Sequence, residues 1–401
     1  MFIARQPIFT KNYDVFGYEL LFRAEQNSTQ FDGLSSMSAT ASVLGGLFES
    51  GLNQIVDDKA AFINFDAEFI LSEIIELIDP SSLVIEVLED VVIDDELIAR
   101  LLELKNKGYK IALDDFEGSY SNYPLVPLAN IIKFDLIATP LFTIYTDVQK
   151  ALSQNKTLLA EKVETEDEFI RAKKMGFHLF QGYFFSKPNI IKKSIDKTTT
   201  KVQYARLISE LKKPEPSYNS LAEIIEKDVN LAYRFMHVAS TRSSGDFIYT
   251  IKKALTYMGL KEIERWIYIL MIRDLGNNKP QELMRLSLFR TKFAESIAMH
   301  SLHHKSMQEA SMLGLFSTID AILDETMSDA LSDIALPESI KDALVHKKGT
   351  LMPIFELFIS YEQGDWENTE RIANGIGISN NMLYDDYKNA LKWTRDVMKM
   401  M

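Results

Sequence analysis

The sequence predicts an α/β domain, a barrel of parallel strands with crossover helices, followed by an all-α domain, and three observations carry that prediction. Up to about residue 190, short apolar runs alternate with stretches of helical periodicity, the pattern of parallel strands joined by crossover helices. The stretch SKPNIIKKSIDKTTTK (186–201) is polar and lysine-rich and reads as a linker. Beyond it, apolar residues recur at helical spacing almost throughout. The expected organisation is a barrel domain over 1–192, a linker over 193–200 and a helical domain over 201–401.

The strand candidates follow in order: AAFINF (60–65), LVIEVLE (83–89), YKIALDD (109–115), NIIKFDL (130–136), TLLAEKVE (157–164) and FHLFQGYFF (177–185). Between the second and third, DDELIARLLELKNKG (94–108) has apolar residues at helical spacing and Gly108 where a helix would stop. In the second part, SLAEIIEKDVNLAYRFMHVA (220–239) and TIKKALTYMGLKEIERWIYILMIRDL (250–275) are helical in pattern, and apolar stripes such as IYILMI read as core. The chain shows no internal repeat and no low-complexity tract.

With 401 residues, 46% of them hydrophobic and 25% charged, the chain has the length for two or three packed domains. A net charge of −13 argues against a general nucleic-acid binder, which would show a basic stripe. With no cysteine, neither disulfides nor thiolate zinc sites are available. The segment Met1–Phe9 lacks a signal peptide's apolar core and no run reaches the length of a membrane span, so the expectation is a cytoplasmic protein without a membrane partner.

Asn64, Glu86, Glu89, Asp114, Asp115, Lys133, Asp135, Glu161, Glu164 and Gln181 each lie within or just after an apolar run. In a parallel barrel such residues converge on the face where these enzymes work. Adjacent aspartates repel one another and resist desolvation, so Asp114 and Asp115 need open water or a cation between them. Oxygen-rich ligation suits Mg²⁺, Mn²⁺ or Ca²⁺. Two such ions, about 3.5–4 Å apart, form a clamp for in-line displacement at a phosphoester, which makes a phosphodiesterase the first functional reading. A single acid at a strand end is more often a helix cap or a salt-bridge partner, and Asp115, Glu164 and Thr165 all precede helical stretches. That alternative explains poorly why Glu86, Asn64 and Lys133 interrupt runs that would otherwise be buried, and jointly they favour a site.

The motifs ARQPIF (4–9), YELLFR (18–23), FINF, IEVLED, IALDDF, IIKFD, AEKVET and FQGYFFSKP occur in the order found in EAL domains, the cyclic di-GMP phosphodiesterases. The N-terminal part thus resembles a short EAL domain with a TIM-like (β/α) barrel, and the C-terminal half resembles the HD-related, helical HDOD domain. This combination is found in bacterial signalling proteins. The resemblance implies that Glu19, Asn64, Glu86 and Asp114 hold a first metal ion, and Asp114, Asp115 and Glu161 a second, the ions being Mg²⁺ or Mn²⁺. Lys133 matches the lysine that helps hold the attacking water or the phosphate, and Glu164 the second acid of the Glu161 loop. Glu161 matches either a ligand or the general base. Gln6, Arg23 and Gln181 match positions that touch the nucleotide, and Arg23 suits a phosphate by its forked donors. Glu89 matches the acid that anchors the loop after the aspartates. The implied reaction opens one phosphodiester of cyclic di-GMP to linear pGpG.

Several departures stand beside the matches. The name motif reads ELL, and the family's DFGTGYSS becomes DFEGSYSN from Asp115 to Asn122, with Glu117 and Ser119 in place of glycines. Lys162 also stands where the family has glycine, and the connection from Lys133 to Glu161 is short for an EAL domain. A second reading is therefore a non-catalytic scaffold that binds nucleotide or a protein. A third, ignoring the resemblance, is a metal-dependent lyase or isomerase; it leaves Gln6 and Arg23 unexplained. In MLGLFSTID (312–320), Ser317 and Thr318 stand where an HD phosphohydrolase has its His-Asp pair, which implies an interaction module for a signalling protein yet to be identified. His300, His303 and His304 fall at helical i, i+3, i+4 spacing and could face one way, and His237 reads as packed. EAL domains often dimerise through the region around the altered loop, so a homodimer is a further expectation.

Overall fold

The computed structural model describes residues 2–23, 52–88, 91–116, 120–186, 197–242, 250–276, 279–332, 334 and 336–400. The chain divides into two compact units, one of residues 1–185 with 359–374 and 379–384, the other of 186–358 with 375–378 and 385–401.

In the first unit, β1 (Phe2–Thr10), β2 (Val15–Arg23), β3 (Ala60–Phe65), β4 (Leu83–Val87), β5 (Lys110–Leu113), β6 (Ile131–Asp135), β7 (Thr157–Glu161) and β8 (Leu179–Phe180) close into a barrel in chain order. Strands β3 to β8 are the six apolar runs, trimmed at their ends. The first two are not among those runs, because Arg5, Gln6 and Pro7 break one and Gly17 and Glu19 the other. The barrel also departs from the all-parallel one expected. Strands β2 to β8 run parallel, but β1 pairs antiparallel with both β2 and β8. The short turn between β1 and β2, closed by the Thr10 N–H on the Asp14 carbonyl at 2.8 Å, makes them a hairpin, and a hairpin is antiparallel by construction.

Inside the barrel, Ile8, Phe62, Val84, Ala112, Ile131, Leu159 and Leu179 form one buried apolar layer. Gly17 is β2's contribution at this level: a Cβ there would lie 2.6 Å from the Ala60 carbonyl oxygen and 3.0 Å from Phe62. Burying each large apolar side chain of the layer contributes about 1.5–3 kcal/mol. Side chains two positions apart on a strand share a face. Two residues on from this layer along the parallel strands stand Glu19, Asn64, Glu86, Asp114, Lys133, Glu161 and Gln181. On antiparallel β1, Gln6 stands two residues before Ile8. The pleat therefore lifts one polar ring above an apolar floor.

The helix Asp95–Asn106 starts at Asp94, whose carboxylate accepts the Leu97 N–H at 2.8 Å, and it buries Leu97, Leu101 and Leu104. It stops before Gly108, whose φ of +99° only glycine adopts freely. Glu166–Met175 begins with a reciprocal cap between Thr165 and Glu168. The β6 to β7 connection holds a single helix, Tyr145–Ser153. Within this unit Trp366 stacks on Phe2, ring centroids 5.4 Å apart.

The second unit is helical. Leu260–Leu275 is buried continuously from Trp266 to Ile272, so the IYILMI stripe is core as expected. Gln281–Met299 and Met307–Phe316 pack closely around Gly314. No described helix is long and apolar enough to cross a membrane.

Candidate metal centre

The polar ring is organised around Lys133, the third residue of β6. Its ammonium is buried and lies 2.6 Å from Asp114 Oδ1, 2.7 Å from Glu86 Oε1, 2.9 Å from Glu161 Oε1 and 3.9 Å from Glu19 Oε1. Burial by itself would push the Lys133 pKa down, but the carboxylates of Glu86, Glu19, Glu161 and Asp114 hold it well above its usual value. The same burial pushes Glu86 well above the carboxylate range, with Lys133 opposing and Glu19 and Asp114 adding to the rise. Glu161 is pushed up to about 8 by burial, again against Lys133. One ammonium does not balance this many acids.

The second circle of contacts is amide to acid. Gln181 Nε2 donates to Glu19 Oε2 at 2.7 Å and to Gln6 Oε1 at 3.1 Å, and Asn64 Nδ2 donates to Glu19 Oε1 at 3.3 Å. Asn64 Oδ1, Glu86 Oε2 and Gln181 Oε1 are left as buried acceptors with no hydrogen-bond donor among the described residues. Buried acceptors in surplus, all of them oxygen, fit a hard divalent cation. Asp114, Asp115 and Glu161 each offer a carboxylate oxygen, the three lying within 4.8 Å of one another. Asp115 has a positive φ of 35°, backbone strain of the kind that clusters at functional sites.

Not every expected residue joins the ring. Glu164 is exposed; its N–H donates to the Glu168 carboxylate at 2.9 Å, beside the helix cap, and its side chain is not in the carboxylate group. The helix start drew it outward. Arg23 ends β2 opposite Phe2, and its side chain lies outside the described residues, as do Glu89, Glu117 and Ser119.

One residue that the sequence reading did not place in the site, Lys162, enters through Asp135, a strand-end acid to which that reading gave no partner. Lys162 Nζ lies 2.5 Å from Asp135 Oδ2, and Asp135 Oδ1 accepts the N–H groups of Ile137 and Ala138 at 2.7 and 3.3 Å. Burial would raise the Asp135 pKa, but the bond from Lys162 and the two backbone donors outweigh it and leave it below the usual value. The Lys162 ammonium is raised by that bond and by the charges of Asp115, Asp135 and Glu161. The signals were present: Lys133 and Asp135 share a face in IIKFD by the period of two, and Lys162 interrupts a glycine position.

In the second unit the three histidines do not share a helix face, because the helix Gln281–Met299 ends before them. His300 Nδ1 meets the Asp386 carboxylate at 2.9 Å, and His304 starts a separate short turn. His237 is exposed and stacked on Tyr233, not packed. Ser317 Oγ donates to the Gly314 carbonyl at 2.7 Å.

Comparison with known proteins gives two family matches, the EAL domain over residues 1–188 and the HDOD domain over residues 199–343. YuxH of Bacillus subtilis strain 168 is 33% identical over 99% of both chains. The cyclic di-GMP phosphodiesterase CdgJ of Vibrio cholerae serotype O1 is 30% identical over 100% of this chain and 93% of its own. Among solved structures, Bacillus subtilis YkuI, a protein with an EAL domain in complex with its substrate c-di-GMP and calcium, aligns with a TM-score of 0.39 and 20% identity over 64% of this chain and 71% of its own.

Proposed function

This chain belongs to the family of proteins that join an EAL domain to an HDOD domain, and from that premise we propose that it is a metal-dependent phosphodiesterase that opens cyclic di-GMP to linear pGpG. The observation that carries the reading is the buried ring of Glu19, Glu86, Asp114 and Glu161 around Lys133, with Asn64 Oδ1 and Glu86 Oε2 unsatisfied among the described residues. In it, Glu19, Asn64, Glu86 and Asp114 would hold one divalent ion and Asp114, Asp115 and Glu161 a second. Two ions, Mg²⁺ or Mn²⁺, would polarise the phosphodiester and lower the pKa of bound water.

The chain's own groups do the rest. Lys133 carries a fixed charge toward the scissile phosphate and keeps the acids from repelling one another. Glu161 combines an oxygen close to Asp114 and Asp115 with a raised proton affinity, which suits it to accept the proton of the attacking water as well as to ligate. Gln6 and Gln181, hydrogen-bonded to each other, offer amides to the nucleotide, and Arg23 offers its fork to a phosphate. The HDOD half serves as the interaction module toward a signalling protein. A non-catalytic scaffold is the second reading, and the Lys162 ammonium beside Asp115 and Glu161, where it competes with a cation, is the observation that favours it.

The deciding experiment is turnover of cyclic di-GMP by the purified chain with Mn²⁺ or Mg²⁺, with Asp114→Asn alongside. Metal-dependent release of pGpG, lost in the variant, is the expected result. No release under conditions where a control phosphodiesterase works would leave the scaffold reading.

A further inference from the structure

At the barrel end opposite the carboxylate ring lies a cavity of about 540 Å³, lined by residues at or just before the starts of β5 to β8. That is within the size range of small-molecule sites. The layer through Ile8, Phe62 and Leu159 separates it from the acids above. Three lysines line it from three elements: Lys105 in the helix Asp95–Asn106, Lys110 at the start of β5 and Lys156 just before β7. Among the described residues, no aspartate or glutamate lines it. In a chain of net charge −13 this is a local reversal of sign.

The other polar groups reinforce the sign. Lys105 Nζ donates to the Leu128 carbonyl at 2.8 Å and Lys156 Nζ to the Ala129 carbonyl at 2.7 Å, which orients both ammoniums without neutralising either. Burial, and then the charge of Lys105, lowers the Lys156 pKa, so the two lysines work against each other as the fold stands. Three acceptor atoms of the uncharged lining already take a hydrogen bond within the fold. Asn130 Oδ1 takes the Ile111 N–H at 3.0 Å, Gln154 Oε1 the Tyr120 hydroxyl at 2.9 Å and His178 Nδ1 the Leu158 N–H at 3.2 Å. Each of those side chains also carries N–H donors to offer, on His178 by way of Nε2. A wall of donors and cations around one cavity is the chemistry that recognises an anion. A carboxylate brings one charge and two acceptor oxygens, whereas a phosphate group brings up to two charges and three acceptor oxygens, closer to what three lysines can engage. Phe16, whose ring is 5.8 Å from the Lys110 ammonium, adds an aromatic wall for the rest of such a molecule.

We propose that this cavity binds a phosphate-bearing small molecule, with the phosphate seated among Lys105, Lys110 and Lys156. The site is separate from the metal centre and stands whether or not the chain turns over cyclic di-GMP. The probe is inorganic pyrophosphate, titrated calorimetrically into the full chain in EDTA at fixed ionic strength, so that no cation at the acidic ring can recruit it. Saturable binding is expected, weakened roughly tenfold or more by Lys110→Gln and by Lys156→Gln, each removing a charge-assisted bond. Lys110→Arg, which keeps the charge, and Lys348→Gln, in the other unit, should bind as the parent does. Absence of saturable binding, or equal binding by the Lys110→Gln and Lys156→Gln chains, overturns the proposal. Loss in Lys110→Arg as well as Lys110→Gln overturns it too, since charge would then not be what the site reads.

Discussion

Lys162 is a described residue at which this chain departs from the pattern it otherwise follows. It holds a φ of +52°, a conformation that glycine adopts without cost, and its ammonium adds positive charge near Asp115 and Glu161. The Lys162→Gly change relieves strain and removes a charge that opposes a divalent ion. Since the side chain is 53% exposed, solvent screens much of that opposition. We expect Lys162→Gly to bind Mn²⁺ roughly tenfold more tightly, a gain of one unit of charge at intermediate effective dielectric, read from the free-ion electron paramagnetic resonance signal. Unchanged affinity would show that Lys162 has no part in the metal centre. The lysine itself was legible in AEKVET. So was Asp135 at the end of IIKFD, but not their pairing, because the two meet only once β6 and β7 lie side by side.

At the level of elements, close backbone approach decides what the helices tolerate. A Cβ on Gly314 would lie 2.2 Å from the Arg290 carbonyl oxygen and 2.7 Å from the Thr291 N, atoms that cannot swing away. Ser287 Oγ donates across the same crossing to the Leu315 carbonyl at 2.5 Å. Gly314→Ala should therefore cost about 3 kcal/mol, at the upper end for overpacking, and lower the urea midpoint with an unchanged m-value. A parent-like midpoint would show that the crossing opens easily. The elements were readable wherever periodicity was continuous, as in the six apolar runs and in IYILMI. They were not readable in β1 and β2, where polar residues serve the barrel interior, nor at His300, where the helix stops short of the histidine cluster.

For the molecule as a whole, the buried ring ties stability to metal. Lys133 is the one cation found in contact with Glu86, Asp114 and Glu161 among the described residues. In Lys133→Met those acids lose it, a change worth about 3–5 kcal/mol when a buried pair is broken. A divalent ion that binds the folded chain alone adds about 2.7 kcal/mol at a hundredfold excess over its Kd. Mn²⁺ should thus raise the melting midpoint of the parent and restore part of what Lys133→Met loses, and EDTA should reverse both. If melting of either chain ignores Mn²⁺, the ring is a closed salt-bridge cluster and not a metal centre.

Sequence alone determined the two textures of the chain, the six core strands, and the ring residues from Asn64 to Gln181, with Glu19 and Gln6 reached only through the resemblance. The period of two along each strand and the cost of burying a charge are local facts, written in short stretches. Tertiary structure decided what those stretches do to one another. It turned β1 antiparallel, left Glu164 outside the ring, brought Lys162 onto Asp135 and gathered three lysines at the far end of the barrel. The reason is that electrostatic partners are chosen by distance in space, and spatial distance between residues far apart in the chain is set only when the barrel closes.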